Sequence, residues 1–302
     1  LWRCRAERWL AYSLELQGQG AEATAHYARV LELAQSLGNE EHEGYARLGL
    51  AYLQMLGGQA TEAVDGFEQA IDLFHRLGLG RFEILAMTGL GCSYDNIGDM
   101  DRAAEIFTRI AREARRLKDP WTLAYAFDNL GGLEFRRGDP AAAVVLFQQA
   151  IDLHLKNLNP EGSLVPAANL ATAQTALGRF DDAASALEEA LDLCVKQGFR
   201  ARRPALLEQL GVVRRLQGRL AESAAALREA LALGRGFNLE GQINVTLSLV
   251  KTVAQEDSLG AAIAILERET GSLGGRISPS LEIGIERAKG ELHLRRAETR
   301  PA

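Results

Sequence analysis

Residues 128–150 read DNLGGLEFRRGDPAAAVVLFQQA, from Asp128 to Ala150, and place three glycines and an Asp-Pro pair ahead of an alanine-rich run with one phenylalanine. A glycine loop cradling a phosphate and a turn between two packed helices would both use such residues. The stretch reads better as the turn. Gly138 is suited to a positive φ at the end of one helix, Asp139 to capping the next, and Pro140 to the first helical position, where no amide donor is needed.

Spacing supports the turn. Glycine recurs at Gly18, Gly58, Gly98, Gly138, Gly178 and Gly218, every 40 residues. Eight residues before each stands a leucine (Leu10, Leu50, Leu90, Leu130, Leu170, Leu210), followed by a small residue (Ala11, Ala51, Gly91, Gly131, Ala171, Gly211). After each turn come Ala23, Ala63, Ala103, Ala143, Ala183 and Ser223, then a large residue four positions on: Tyr27, Phe67, Phe107, Phe147, Leu187 and Leu227. Another alanine follows at Ala70, Ala150, Ala190 and Ala230. Each unit predicts two helices whose axes approach at the small residues while the large one fills the space beside them. Glycine inside a helix costs about 1 kcal/mol relative to alanine, and close packing explains why Gly91, Gly131 and Gly211 are kept. Asp99 repeats the cap, while Gly38, Gly78 and Gly198 close second helices and Pro120 and Pro160 punctuate elsewhere.

The pattern Leu130-Gly131, Gly138, Ala143, Phe147, Ala150 resembles the tetratricopeptide repeat, in a variety longer than the familiar 34-residue unit. With its Leu37-Gly38 and Leu77-Gly78 endings it is similar to the repeats of kinesin light chains, of polarity adaptors that bind G-protein regulators, and of sensor regions in bacterial multidomain regulators. The resemblance implies an all-α fold, a right-handed superhelical α-solenoid of antiparallel helix pairs. We expect a single array with units over 3–42, 43–82, 83–122, 123–162, 163–202 and 203–242, a degenerate seventh over 243–272 and a terminal helix over 279–297. In the seventh, Leu249 and Ala262 keep the register after a one-residue slip, Asp257 stands at the turn, and Glu269 replaces alanine. The terminal helix reads equally as a cap or as the first helix of an eighth unit.

By the same resemblance the first helices face a groove with the residues six, three and two before the small residue and one, four and five after it, a single stripe at helical spacing. The third unit contributes Leu85, Thr88, Gly89, Cys92, Asp95 and Asn96; the fourth Tyr125, Asp128, Asn129, Gly132, Phe135 and Arg136; the fifth Val165, Ala168, Asn169, Thr172, Thr175 and Ala176. Asn129 and Asn169 resemble the asparagine that grips a bound peptide backbone in related repeats, since an amide donates and accepts at once. Their other reading is a cap on a local backbone group. Only Arg8, Arg136 and Arg215 supply positive charge to the stripe, too few for the family's two-carboxylate clamp. The run Arg200, Arg202, Arg203 fits a solvated helix start or a contact with an acidic partner segment.

Composition limits the function classes. The 34 basic and 40 acidic residues give a net charge of −6, which argues against nucleic acid as a direct partner. Cys4, Cys92 and Cys194 are odd in number and far apart, as suits reduced thiols in a cytoplasm. No apolar run approaches the ~20 residues that span a bilayer, so no membrane role is expected. Gly89-Leu90-Gly91-Cys92 follows no strand and therefore is not a dinucleotide fingerprint; Walker, G-x-S-x-G and H-E-x-x-H patterns do not occur. The histidines His26, His42, His75, His154 and His293 are scattered and read as surface or partly packed residues. The expectation is a non-enzymatic scaffold with no metal or cofactor, binding a peptide segment of another protein through Thr88, Asp95, Asn96, Tyr125, Asp128, Asn129, Arg136, Asn169 and Thr172. The alternative is a ligand-responsive sensor domain that biases an effector domain in the same, longer chain.

Overall fold

The computed structural model describes residues 1–234, 239–256, 258–271 and 278–298. Every regular element among them is helical. The first seven are α1 (Trp2–Leu16), α2 (Gly20–Ser36), α3 (Glu40–Leu56), α4 (Ala60–Arg76), α5 (Gly80–Ile97), α6 (Met100–Leu117) and α7 (Pro120–Arg136). Eight follow: α8 (Pro140–Lys156), α9 (Leu164–Ala176), α10 (Phe180–Gln197), α11 (Arg203–Leu216, after a 3-10 turn at Arg200–Arg202), α12 (Leu220–Gly234), α13 (Leu239–Gln255), α14 (Leu259–Thr270) and α15 (Pro279–Glu298). The chain divides into two compact units, Leu1–Arg137 and Gly138–Ala302, at the turn of the fourth sequence repeat.

In the first unit each helix packs on the next, and α1–α3 and α3–α5 contacts join first helices into a layer, with α2, α4 and α6 as the second helices. Glycine at the turns is a backbone requirement: Gly18, Gly58 and Gly98 have φ of +75°, +82° and +88°. Asp99 then accepts the Arg102 amide at 3.2 Å, and Asp119 those of Trp121 and Thr122. The periodic alanines Ala11, Ala23, Ala51, Ala63 and Ala103 are fully buried. At Gly91 a side-chain carbon would lie 2.9 Å from the Phe107 ring, so the missing methyl is what lets α5 and α6 close on each other. Phe67, Phe74 and Phe107 form a core with Ala51, Ala63 and Ala103. Burying each contributes about 1.5–3 kcal/mol.

The second unit repeats the plan from α8 to α15, with first-helix contacts α9–α11, α11–α13 and α13–α15. Gly138 has φ +88°, Asp139 accepts the Ala142 amide at 2.9 Å, and Pro140 opens α8, as the opening stretch predicts. Gly211 faces Leu227, whose Cγ would be 2.5 Å from an added carbon. At the expected 40-residue interval α9 would begin near Pro160. It begins at Leu164, because Leu158 turns to φ +56°, Asn159 accepts the Gly162 amide, and the Ser163 hydroxyl donates to the Pro160 carbonyl, closing a separate turn. Leu249 and Ala262 are buried as the slipped register predicts. Asp257 and residue 272 lie outside the described residues. α15 packs on α13 and α14 through Ile285 and Leu292, both buried.

Two expectations need correction. Gly89 is not on the open stripe: it is buried, and an added carbon there would overlap the Phe67 ring. His42 is buried more fully than the surface or partly packed place expected of the histidines; Asn39, capping α3, accepts the His42 amide and lies 2.9 Å from its Nδ1.

Candidate functional site

The first-helix face of the first unit is built by α5 and α7. On α5, Thr88, Cys92, Asp95 and Asn96 recur at helical spacing; on α7, Tyr125, Asp128, Asn129 and Arg136 do the same. The structure links the two helices through these residues. Cys92 Sγ lies 3.8 Å from Tyr125 Oη, and Arg136 Nη2 donates to Asp95 Oδ1 at 2.5 Å. Asn129 Nδ2 donates to the Tyr125 carbonyl at 2.8 Å, so part of its amide serves its own helix. Gly132, between Asn129 and Arg136, leaves the floor low: an added carbon there would meet only the Arg136 guanidinium, at 3.6 Å. Closer to the N-terminus, Arg8 of α1 lies 4.2 Å from the centroid of the Tyr45 ring of α3, continuing the same register.

Burial, then the neighbouring thiol, pushes the Tyr125 phenol well above its ordinary range. Burial likewise raises the Cys92 thiol, outweighing the hydrogen bond from Tyr125. Both stay protonated near neutrality, so they offer hydrogen-bonding groups and not an activated nucleophile.

In the second unit Asn169 and Thr172 lie on α9, and the Thr172 hydroxyl donates to the Ala168 carbonyl at 3.0 Å. α11 presents Glu208, Gln209 and Arg215 in the same register. Burial raises the Glu208 carboxyl above its ordinary range despite a hydrogen bond with Ser248. Gln209 Oε1 and Arg215 Nε are buried without a hydrogen bond among the described residues. Glu208 and Gln209 were not among the expected site residues. Counting three and two residues back from Gly211, as for the other units, finds them. Two members of the basic run pair within the chain: Arg202 faces Glu161 at 3.5 Å and Arg203 faces Glu229 at 2.5 Å, while Arg200 is exposed.

Among the described residues no three His, Cys, Asp or Glu side chains converge as metal ligands would, and no helix is long and apolar enough to cross a membrane.

Family models described as tetratricopeptide repeat match residues 45–74, 86–120, 122–196 and 163–236. Among solved structures, BtubC (BKLC) from P. vanneervenii shares 18% identity over 73% of this chain and 94% of its own, with a TM-score of 0.64. A Rap protein complexed with Competence and Sporulation Factor is 13% identical over 95% of this chain and 77% of its own, TM-score 0.61. A signal transduction ATPase with numerous domains from Pyrococcus horikoshii, which carries a tetratricopeptide repeat sensor, is 12% identical over 96% of this chain and 44% of its own, TM-score 0.70. Identities this low speak to the fold alone. No curated protein matches the chain in sequence. The repeated register, the paired helices and the family models agree, and the chain belongs to the tetratricopeptide repeat family.

Proposed function

We propose that the chain is a cytoplasmic, non-catalytic scaffold that binds an extended peptide segment of another protein on its first-helix face. The observation that carries this reading is the pair of polar contacts, Asp95–Arg136 and Cys92–Tyr125, that bridges α5 and α7 on this face, with Gly132 leaving space beside them. Thr88, Asn96, Asp128 and Asn129 border these bridges, and Asn169 and Thr172 present the same chemistry on the second unit. An extended backbone needs donors and acceptors in alternation, which the asparagine amides and threonine hydroxyls provide. Asp95 and Arg136 neutralise each other, so the partner segment is recognised by shape and backbone more than by charge. The likeness to a Rap protein seen with a bound factor is consistent with this use of the fold.

The test is selection of linear peptides from a displayed library against the full chain, followed by fluorescence anisotropy. Asn129→Ala weakens a selected peptide by roughly tenfold, as loss of one buried amide contact does, while Val145→Ala on α8 leaves it unchanged. Peptides indifferent to Asn129 and to Asn169→Ala would place recognition elsewhere. The likeness to the sensor of the Pyrococcus protein supports a second reading, a regulatory domain in which peptide binding biases an effector in a longer chain.

A further inference from the structure

The second unit contains a cleft of about 440 Å³, walled by α8 and α10 and floored by α9. It is separate from the face described above. Its floor residues, Ser163 just before α9 and Ala167, Leu170 and Gln174 on it, follow i, i+4, i+7, i+11 along one side of the helix, whereas Ala168, Asn169, Thr172 and Thr175 lie on the opposite side.

The repeat register explains why this space is open. Gln174 occupies the position of Tyr94 in the third unit and Arg214 in the sixth. At both of those positions a long donor reaches from the first helix to a glutamate on the preceding second helix. Tyr94 Oη donates to Glu68 at 3.1 Å. Arg214 donates to Glu188 and to Gln217 Oε1, and its Nε lies 3.7 Å from Glu222. In the fifth unit the glutamate's place is taken by Gln148, and neither glutamine spans the gap. Gln148 Nε2 is turned to Asp152 at 3.0 Å. Gln174 Oε1 is buried and takes no hydrogen bond among the described residues. Asp182, in the register of Glu222, stands on the wall. Asp192 on the rim is paired with Lys196 at 2.5 Å, which leaves Asp182 and Glu189 to set a negative field.

Of the groups around Arg214 one unit later, the cleft keeps one acid, Asp182 in the place of Glu222, while Gln148 and Leu177 stand for Glu188 and Gln217; with Glu189 and the unpartnered Gln174 Oε1 it offers acceptors around a short neutral glutamine where the cation would be. We propose that it binds an arginine side chain carried by a peptide segment of a partner protein. The aliphatic stem lies along Ile151, Leu170 and Ala190, and the guanidinium donates to Gln174 Oε1 and faces Asp182. A guanidinium is suited to this because it offers several N–H groups in one plane and keeps its charge when partly desolvated.

The experiment titrates the full chain with acetyl-Ala-Arg-Ala-amide, reading the Gln174 side-chain amide by NMR and affinity by calorimetry. The Gln174 signals shift on binding. Exchanging arginine for citrulline, similar in shape but uncharged, weakens binding by about fivefold or more, and Asp182→Asn does so by about threefold. Gln174→Arg, which fills the cleft from within, abolishes it, and Asn129→Ala has no effect, so this site and the first-helix face fail independently. Unshifted Gln174 signals, equal binding of the citrulline peptide, or full affinity in either Gln174→Arg or Asp182→Asn would overturn the proposal. So would argininamide binding as tightly as the peptide, which would make the cleft a site for a free small molecule. If Gln174→Arg does not fold, the Asp182→Asn and citrulline results decide.

Discussion

At Gly89 the backbone of α5 runs against the ring of Phe67, a fully buried side chain of α4 with no room to retreat. Gly89→Ala should cost about 1–3 kcal/mol, the usual penalty for overpacking a filled core. Gly80→Ala at the start of the same helix, where an added carbon meets nothing within 4 Å, should be neutral or slightly stabilising. Urea unfolding of the two variants checks both. These positions show what was legible in the sequence. A residue confined by its neighbour in every repeat returns at a fixed interval, so the small residues, turn glycines and large core residues could be read from spacing alone. Gly89 misled because its register position also belongs to the open stripe. Only the orientation of Phe67 tells which side of α5 it serves. The Asp95–Arg136 pair and the orphaned Gln174 were illegible for a related reason: a side chain's choice of partner across helices depends on neighbours that differ from unit to unit.

Helix ends carry their own signals, and most were readable. Gly18, Gly38, Gly58, Gly78, Gly98, Gly138, Gly178, Gly198 and Gly218 all adopt positive φ. The exceptions are Lys118, at φ +54° after α6, and Leu158, at φ +56° after α8, where an ordinary residue does the work of glycine. A side chain in this region costs about 1–2 kcal/mol. Glycine also frees the unfolded chain, so Lys118→Gly should stabilise the protein by roughly 0.5–1 kcal/mol net. The shift in the urea midpoint, with the denaturant dependence unchanged, measures it. The start of α9 was less legible, because Asn159, Gly162 and Ser163 build a turn from local hydrogen bonds that compete with the helical ladder.

At the scale of the molecule, each unit holds a histidine whose protonation folding disfavours. Burial lowers His42 in the first unit and His154 in the second below the ordinary value of about 6.5. As pH falls through that value the unfolded chain takes up protons that the folded chain refuses. Stability present at neutral pH is therefore lost progressively until the lower folded values are passed. The drop in melting temperature between about pH 7.5 and about pH 5.5 should be smaller in His42→Gln/His154→Gln than in the wild type. An equal drop would assign acid sensitivity to the carboxylates.

On the proposed function, the polar first-helix faces are the surfaces that meet a protein partner. Photo-crosslinking in cells checks this, with benzoylphenylalanine replacing Thr88 on the first-helix face of the first unit or Thr172 on that of the second, and Val145 on α8 as the control. Discrete protein adducts are expected from positions 88 and 172, diminished by Asn129→Ala and Asn169→Ala, and none from 145. Adducts from 145 with none from 88 or 172 would contradict it.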